Sequence, residues 1–373
     1  MQRQPRSSAP SSALGFSLIE LMLALALGVV ITAGIVQLFV GNNLTYTTLQ
    51  GQSRLQEGAR YALDFISESA RAGGYFGCDP DLDKRYTTLN QDLANTFEMN
   101  ILQPVAGFDY VGGGGTSMTD WNPSVAVLPR VGAATTTPVP ANGLNFANIA
   151  PQTDILAVRR VEPPGERIAV IVQPDANPVV IEDDGNVAFA ANDFAVISDC
   201  EQASVFRITA VNDTGATVQL SRAENTGPGS AIFQNRAAAT LSEQNVAYGA
   251  ATNSQGTTVA RLFTEVYFIA NSAGTNNRGQ TPLSLWRKSG AAAPVELVEG
   301  IEDLQLWFGI DSTPNDNIDA PNRYDDFAAT NLNEVVRTLR IQITASTVDV
   351  VGPDANQPVT RTFSQTISLR NQG

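Results

Sequence analysis

Glu20 is the residue whose chemistry stands out. It is the single ionisable side chain between Phe16 and Val40, in an apolar stretch where a carboxylate costs roughly 2.5 kcal/mol or more and usually marks function. Elsewhere the inventory is thin. Histidine is absent from all 373 residues, which removes the commonest general base and the commonest metal ligand. Ser-His-Asp, Cys-His and His-metal chemistry are thereby excluded. The two cysteines, Cys78 and Cys200, are too far apart for a C-x-x-C redox or zinc motif.

Other candidate sites read as ordinary surface or core. Asp311, Thr313, Asn315, Asn317 and Asp319 supply alternating oxygens. Asp316 stands where a calcium loop needs Gly, however, and Asn322 where it needs a bidentate Glu, so a solvated turn is the better reading. Gly112 to Gly115 lacks the G-K-[ST] of a phosphate loop. Asp183-Asp184, Glu302-Asp303 and Asp325-Asp326 are sequence neighbours, which point to opposite faces of a strand and make no acid/base pair. Trp121, Trp286 and Trp307 fit core and sheet-edge packing better than a ligand platform. No catalytic residue, cofactor or metal is expected, and the chain is not read as an enzyme.

The elements that carry these residues begin with the apolar run. Phe16 to Val40 is long enough for a bilayer core of about 30 Å, which needs roughly 20 apolar residues. Arg3 and Arg6 precede it, and basic flanks stay cytoplasmic, so the remainder is expected outside the inner membrane. A cleaved secretory signal fits poorly, because apolar residues continue past Ala24-Leu25-Ala26. No proline occurs between Pro10 and Pro80, so nothing breaks one long helix. Leu55, Ala59, Ala62, Leu63, Ile66 and Ala70 recur at helical spacing, with Arg54, Glu57, Arg60, Asp64 and Glu68 on other faces. The pattern predicts a helix from Ser17 to Ala72, about 80 Å long at about 1.5 Å per residue, stopped at Gly73-Gly74. Gly28, Gly34, Gly41, Gly51 and Gly58 lie within it and admit either close helix packing or local melting.

From Tyr75 onward the period changes to short β-type runs. Strands are predicted at 155–161, 167–172, 193–198, 204–211, 216–220, 261–270, 283–288, 301–308, 335–344 and 362–369. Leu339, Ile341 and Ile343 alternate with Arg340, Gln342 and Thr344, as Phe363, Ile367 and Leu369 do with their hydroxyl-bearing neighbours. Such alternation belongs to half-buried antiparallel sheet. Segments 82–100, 112–122, 131–148 and 225–255 read as long surface loops. The fold class is therefore α+β, a long N-terminal helix followed by a mainly antiparallel β domain. Net charge is −14, which argues against nucleic acid as a partner. On the extracytoplasmic side an even cysteine count favours a disulfide, stabilising by about 3 to 5 kcal/mol through its long loop.

Gly15-Phe16-Ser17-Leu18-Ile19-Glu20-Leu21 resembles the class III signal of type IV pilins and type II secretion pseudopilins. The resemblance implies that a membrane aspartyl prepilin peptidase cuts after Gly15 and methylates the new amino terminus at Phe16. Glu20 matches the family's invariant Glu and would set the stagger between subunits by meeting that ammonium. A Gly at the cut site lets the peptidase approach the backbone. Ala72-Gly73-Gly74-Tyr75-Phe76-Gly77-Cys78, Val196-Ile197-Ser198-Asp199-Cys200 with Val205-Phe206, and Leu297 to Leu304 resemble the PilW family of minor pilins, related to the J-type pseudopilins. They support pairing Cys78 with Cys200.

The resemblance implies a leader at 1–15, a transmembrane and filament-core helix at 16–40, an amphipathic helix at 41–74 and a β-rich extracytoplasmic domain at 75–373. It implies a role in initiating pilus assembly at or near the tip. The implied partners are the prepilin peptidase, other minor pilins, the major pilin, the inner-membrane assembly platform and a tip adhesin. The chain would move from the inner membrane, its C-terminal domain periplasmic, to the filament at the cell surface. A type II secretion minor pseudopilin shares the same signal, and a membrane-anchored binding protein or enzyme is the reading from another class.

Overall fold

A computed structural model describes residues 17–76, 85–89, 104–110, 112, 121–123, 149–161, 168–169, 178–182, 189–199, 202–223, 257–290, 292–313, 320–325, 335–351 and 358–369. The long helix predicted from the proline-free stretch is present as α1, Leu18–Ala72, 55 residues without a break. Among the described residues it is followed by strands β1 (Arg85–Thr87), β2 (Val105–Tyr110), β3 (Trp121–Pro123), β4 (Ile155–Val161), β5 (Ile168–Ala169), β6 (Val179–Glu182), β7 (Phe194–Ser198), β8 (Ala203–Arg207) and β9 (Ala210–Asp213). The chain continues through β10 (Thr217–Ser221), β11 (Thr258–Asn271), β12 (Leu283–Ser289), β13 (Val295–Glu299), β14 (Ile301–Asp311), β15 (Arg323–Asp325), β16 (Val335–Ser346) and β17 (Thr360–Ser368). The α+β class expected from the change of period is borne out.

The strands form three sheets. The largest has ten strands and is built on β11, whose 14 residues are paired along both edges. Its first part pairs with β7 on one edge and β5 on the other, and its last part with β12 and β4. A three-stranded sheet runs β6-β10-β9, and a four-stranded sheet runs β15-β14-β16-β17. All pairings are antiparallel among these except β1 with β8. The three-stranded sheet closes over the β7–β8 part of the large sheet through Val179, Ile181, Val218 and Leu220, packed on Ile197, Phe206 and Val259.

The four-stranded sheet, the large sheet and the distal half of α1 share one core. Leu55, Ala59, Ala62, Leu63, Ile66 and Ala70 meet Leu156, Val158, Tyr267, Ile269 and Leu285 of the large sheet, with Leu304, Leu306, Phe308, Leu339, Ile341 and Ile343 of the other. The alternation predicted for β16 and β17 is what turns these side chains inward. Two bulges adjust it. Ile301 pairs with Ala345 and Asp303 with Thr344, so Glu302 is the extra residue, and between Gly309–Thr338 and Ile310–Val336 the extra residue is Arg337. Each bulge shifts the inward phase by one position, which lets Ile301 and Leu304, and likewise Val336 and Leu339, face the same core.

Three expectations are corrected. The run 204–211 is two strands, because Ile208 N bonds Asp193 O in the large sheet while Thr209 N bonds Ser221 O in the small one. The chain changes sheets between those two residues. Segment 82–100 contains β1, and 112–122 contains the first residues of β3; both strands are three residues long, too short for a period to register. Segments 131–148 and 225–255 lie outside the described residues. At the C-terminus of α1, Gly73 lies against Val105 and Val158, and Gly74 takes φ +80° while its N–H reaches Arg159 O.

Gly300 makes the turn between β13 and β14 with φ +77°, and a Cβ there would stand 2.6 Å from Ser346 O. Gly300→Ala is therefore expected to destabilise the fold by about 1–3 kcal/mol, read as a lower denaturant midpoint in chemical unfolding of the full chain. An unchanged midpoint would mean that the turn relaxes without cost.

Candidate functional site

The first half of α1 is arranged for contact with something outside the chain. Leu18 is 76% exposed, Phe39 71% and Leu38 69%, and the helix is long and apolar enough to cross a membrane, with none of its most apolar window buried in the fold. Its few hydroxyls bond back onto the helix, as Thr32 does to Gly28 O at 2.7 Å and Thr45 to Gly41 O at 2.9 Å, so they carry no unmet donor into an apolar medium. At its start Ser17 is the N-cap residue, and its backbone N–H donates to Glu20 Oε2 at 3.3 Å. Glu20 thus sits at the third helical position, where a carboxylate also complements the helix dipole.

The glycines sort by position. A Cβ at Gly28, Gly34 or Gly41 would meet nothing within 4 Å, whereas at Gly51 it would lie 3.0 Å from Val351 and at Gly58 3.3 Å from Val298. Gly51 and Gly58 serve close approach of the helix to the β domain. The other three lie on the bare half.

Docking of the second half combines an apolar stripe with three polar ties. Ser67 Oγ donates to Gln365 Oε1 on β17 at 3.0 Å, and Ser69 Oγ donates to Glu265 Oε2 on β11 at 2.6 Å. The Tyr267 hydroxyl lies 3.5 Å from Phe65 O and 3.3 Å from Glu265 Oε2, and its one proton serves either. On the opposite face Arg60 and Asp64 approach to 3.9 Å in full solvent, a pair worth little.

Glu265 is the centre of this joint. Its side chain is 3% exposed, Arg160 reaches it with Nε and Nη2 at 3.2 Å each, and Arg287 Nη1 lies 3.4 Å away. The Arg160 guanidinium also stacks 4.7 Å above the Phe263 ring. Burial pushes the Glu265 carboxyl up, but the hydrogen bonds from Arg160 and Ser69 and the charges of Arg160 and Arg287 outweigh it and hold the group below its ordinary value. Burial, then the Glu265 charge, pushes Tyr267 up to about 12. Sequence reading missed this cluster. The signal was available: Glu265 is in phase with Phe263, Tyr267 and Ile269 on β11, a carboxylate on the apolar face of a strand.

The remaining candidates have structural partners. Asp311 is 1% exposed; its Oδ2 accepts from Arg337 Nη2 at 3.2 Å and its Oδ1 from Thr313 N at 3.0 Å. The carboxylate is committed to the bulge residue and the turn, and residues 314–319 lie outside the described residues. Trp121 is buried, donates to Thr153 O at 2.8 Å and packs edge-on to Tyr110. Trp286 packs against the same cluster, and Trp307 lies on the outer face of β14. Gly15, Phe16, Cys78 and Cys200 lie outside the described residues. Phe76, two residues from Cys78, shares a buried cluster with Val196 and Ala203 on the strands that flank Cys200.

Residues 266–366 match the family model described as Type IV Pilus-assembly protein W, PilW. No curated protein and no solved structure matches the chain. The matched segment runs from the last part of β11 into β17 and so contains most of the four-stranded sheet that packs on α1. The match supports a role in type IV pilus assembly.

Removing one partner from a buried ion pair costs about 3–5 kcal/mol because the other charge is left uncompensated. Glu265→Gln is expected to lose stability in that range and to expose the distal helix to limited proteolysis. Since the Glu265 carboxyl is held low, its contribution is present above the ordinary Glu range and disappears as pH falls through the folded value. Wild type should therefore lose stability in acid more steeply than Glu265→Gln.

Proposed function

We propose that this chain is a minor pilin that takes part in initiating type IV pilus assembly at or near the tip. The observation that carries the reading is the division of α1. Its apolar half is bare, while its second half is locked into a β domain, part of which matches the pilus-assembly family. A bare apolar helix needs lipid or other helices around it, and a subunit that passes from membrane to filament has each in turn.

In this reading the prepilin peptidase removes residues 1–15 and methylates Phe16. Before cleavage Glu20 caps the backbone of Ser17. After cleavage an ammonium is created one residue before that cap, and Glu20 of a neighbouring subunit pairs with it. The pair fixes one axial stagger, since either charge left alone in the apolar core would be expensive. The β domain lies in the periplasm while the helix is in the inner membrane, and reaches the cell surface with the filament. The other minor pilins, the major pilin, the assembly platform and a tip adhesin are its partners, and motility and adhesion are the processes served. A Cys78–Cys200 disulfide would tie the chain beyond α1 to the β7–β8 region, in keeping with the cluster that Phe76, Val196 and Ala203 share.

Mass spectrometry of the membrane form is the direct test, with a mature start at N-methylated Phe16 expected. A protein that retains Met1 to Gly15 overturns the reading. Glu20→Gln should leave insertion and cleavage normal while incorporation into filaments falls at least tenfold; wild-type incorporation removes the register argument. Replacing Gly15 with Trp should leave uncleaved precursor in the membrane.

A further inference from the structure

The outer face of the four-stranded sheet, turned away from α1, carries side chains that the fold does not use. Cross-strand pairing sets Trp307 opposite Arg340 and Arg340 opposite Thr366. In the next row Gln305 is opposite Gln342, and Gln342 opposite Ser364. Their alternates Leu306, Phe308, Leu339 and Ile341 form the buried inner face, so the two rows point outward. Arg340, Ser364 and Thr366 are exposed, and Trp307, Gln305 and Gln342 are half-buried.

A second aromatic ring joins them. Tyr324 on β15 is opposite Gly309, two residues beyond Trp307 on β14, and is 46% exposed. A Cβ at Gly309 would stand 3.0 Å from the Tyr324 ring, so a glycine there is what lets the ring lie over β14. Thr338 holds it in place, its hydroxyl donating to the Tyr324 hydroxyl at 3.3 Å. Trp and Tyr supply rigid contact area, apolar in the body and polar at the tip, at a low entropy cost.

Charge is the third observation. Among the described residues Arg340 has neither a hydrogen bond nor an ion pair. The carboxylates of this sheet lie elsewhere. Asp311 is held by Arg337, and Asp325 is opposite Phe308, in the inward phase. Glu302 and Asp303 stand at the start of β14, with Asp303 four residues before Trp307, about 14 Å away at about 3.4 Å per residue. A guanidinium without a counter-charge stands out in a chain of 37 acidic and 23 basic residues. Its fork takes a carboxylate with two parallel bonds.

The size of the face narrows the ligand. From Thr338 to Thr344 it is about 20 Å long, and four strands about 4.8 Å apart make it about 14 Å wide. The product, about 300 Å², is well short of the roughly 800 Å² per partner of a stable protein complex. Stacked bases use aromatic side chains on a sheet in the same way, but nucleic acid needs several phosphate-binding cations and these rows hold one. Linked sugar rings fit better. Each has an apolar C–H side to lie on an aromatic ring, and a rim of hydroxyls to meet Gln342, Ser364 and Thr366.

We propose that the face bearing Trp307 and Tyr324 binds an acidic polysaccharide, with pyranose rings laid on the two aromatic rings and a uronic carboxylate held by Arg340. The face is on the far side of the sheet from the helix joint, so binding leaves the Glu265 docking undisturbed. It does not depend on whether the chain enters a filament.

The test titrates a uronic acid oligomer into the full chain, held in micelles of a detergent without a sugar headgroup, and follows binding by calorimetry. Wild type should bind at millimolar oligomer or below, with an affinity that falls as salt rises, because the Arg340 contact is exposed to solvent. The same oligomer with its carboxyls reduced to alcohols should bind at least tenfold more weakly. Trp307→Ala should lose at least tenfold in affinity, and Arg340→Gln should lose the preference for the acidic oligomer over the reduced one. Arg340 is exposed and unpartnered, so Arg340→Gln decides the question alone if the urea midpoint shows that Trp307→Ala is not folded. No binding by wild type, unchanged binding in either folded variant, or equal binding of the reduced oligomer overturns the proposal. So does a two-chain mass that Trp307→Ala returns to one chain, since a second copy would then cover the face.

Discussion

The ties between α1 and the sheets at Glu265 are the constraint on which the rest of the structure depends. An apolar stripe with alanines at positions 59, 62 and 70 is smooth enough that area alone would hold the helix without fixing where along its axis it sits. The bonds from Ser69 to Glu265 and from Ser67 to Gln365 are directional and reach two different sheets. Sliding the helix by one turn, about 5.4 Å, would break both and strand a carboxylate flanked by two arginines. Position along the groove is thus set by polar groups that contribute little net energy when satisfied and cost several kcal/mol when not.

Much of this was legible in the sequence, and the parts that were not have physical reasons. The helix was legible because fifty-odd residues without proline, with a stripe at 3.6-residue spacing, allow little else. Strands β12, β14, β16 and β17 were legible because apolar residues alternate along them, and β4, β7 and β11 because burial on both faces writes a short, nearly continuous apolar run. β13 escaped because both of its faces are partly exposed, and β1 and β3 because three residues carry no period. The two bulges were invisible because a one-residue phase shift looks like an interrupted pattern. Ser67 and Ser69 were read as neither core nor charge, since a helix stripe is usually traced through apolar residues alone. Glu265 escaped because its counter-charges lie 105 and 22 residues away in the chain. Only the register of β4 and β12 on β11 brings them together.

The bare and docked halves of α1 also give its glycines separate meanings that spacing could not. Gly51 and Gly58 are needed where the helix touches Val351 and Val298. Gly28, Gly34 and Gly41 have no such duty within the chain, so their cost in helix propensity, about 1 kcal/mol each, has to be offset by a neighbour or by a role for local softness. A stiff joint at the far end makes softness in the near half useful. Softness would let the near half bend to fit its surroundings while the β domain keeps its orientation on the distal turns, and close packing would instead seat a neighbouring helix on the same glycines.

Glu265 also decides which condition loosens the helix. It is matched by two guanidiniums, which stay charged across the whole accessible range, so its joint weakens only when the carboxylate itself is protonated in acid. Above that limit α1 remains held on β11 through Glu265 and on β17 through Gln365. The two ties differ in this respect, since the bond from Ser67 to Gln365 joins neutral groups and does not titrate. Acid therefore removes the tie to the large sheet while the tie to the four-stranded sheet persists, and the apolar stripe stays in place under both.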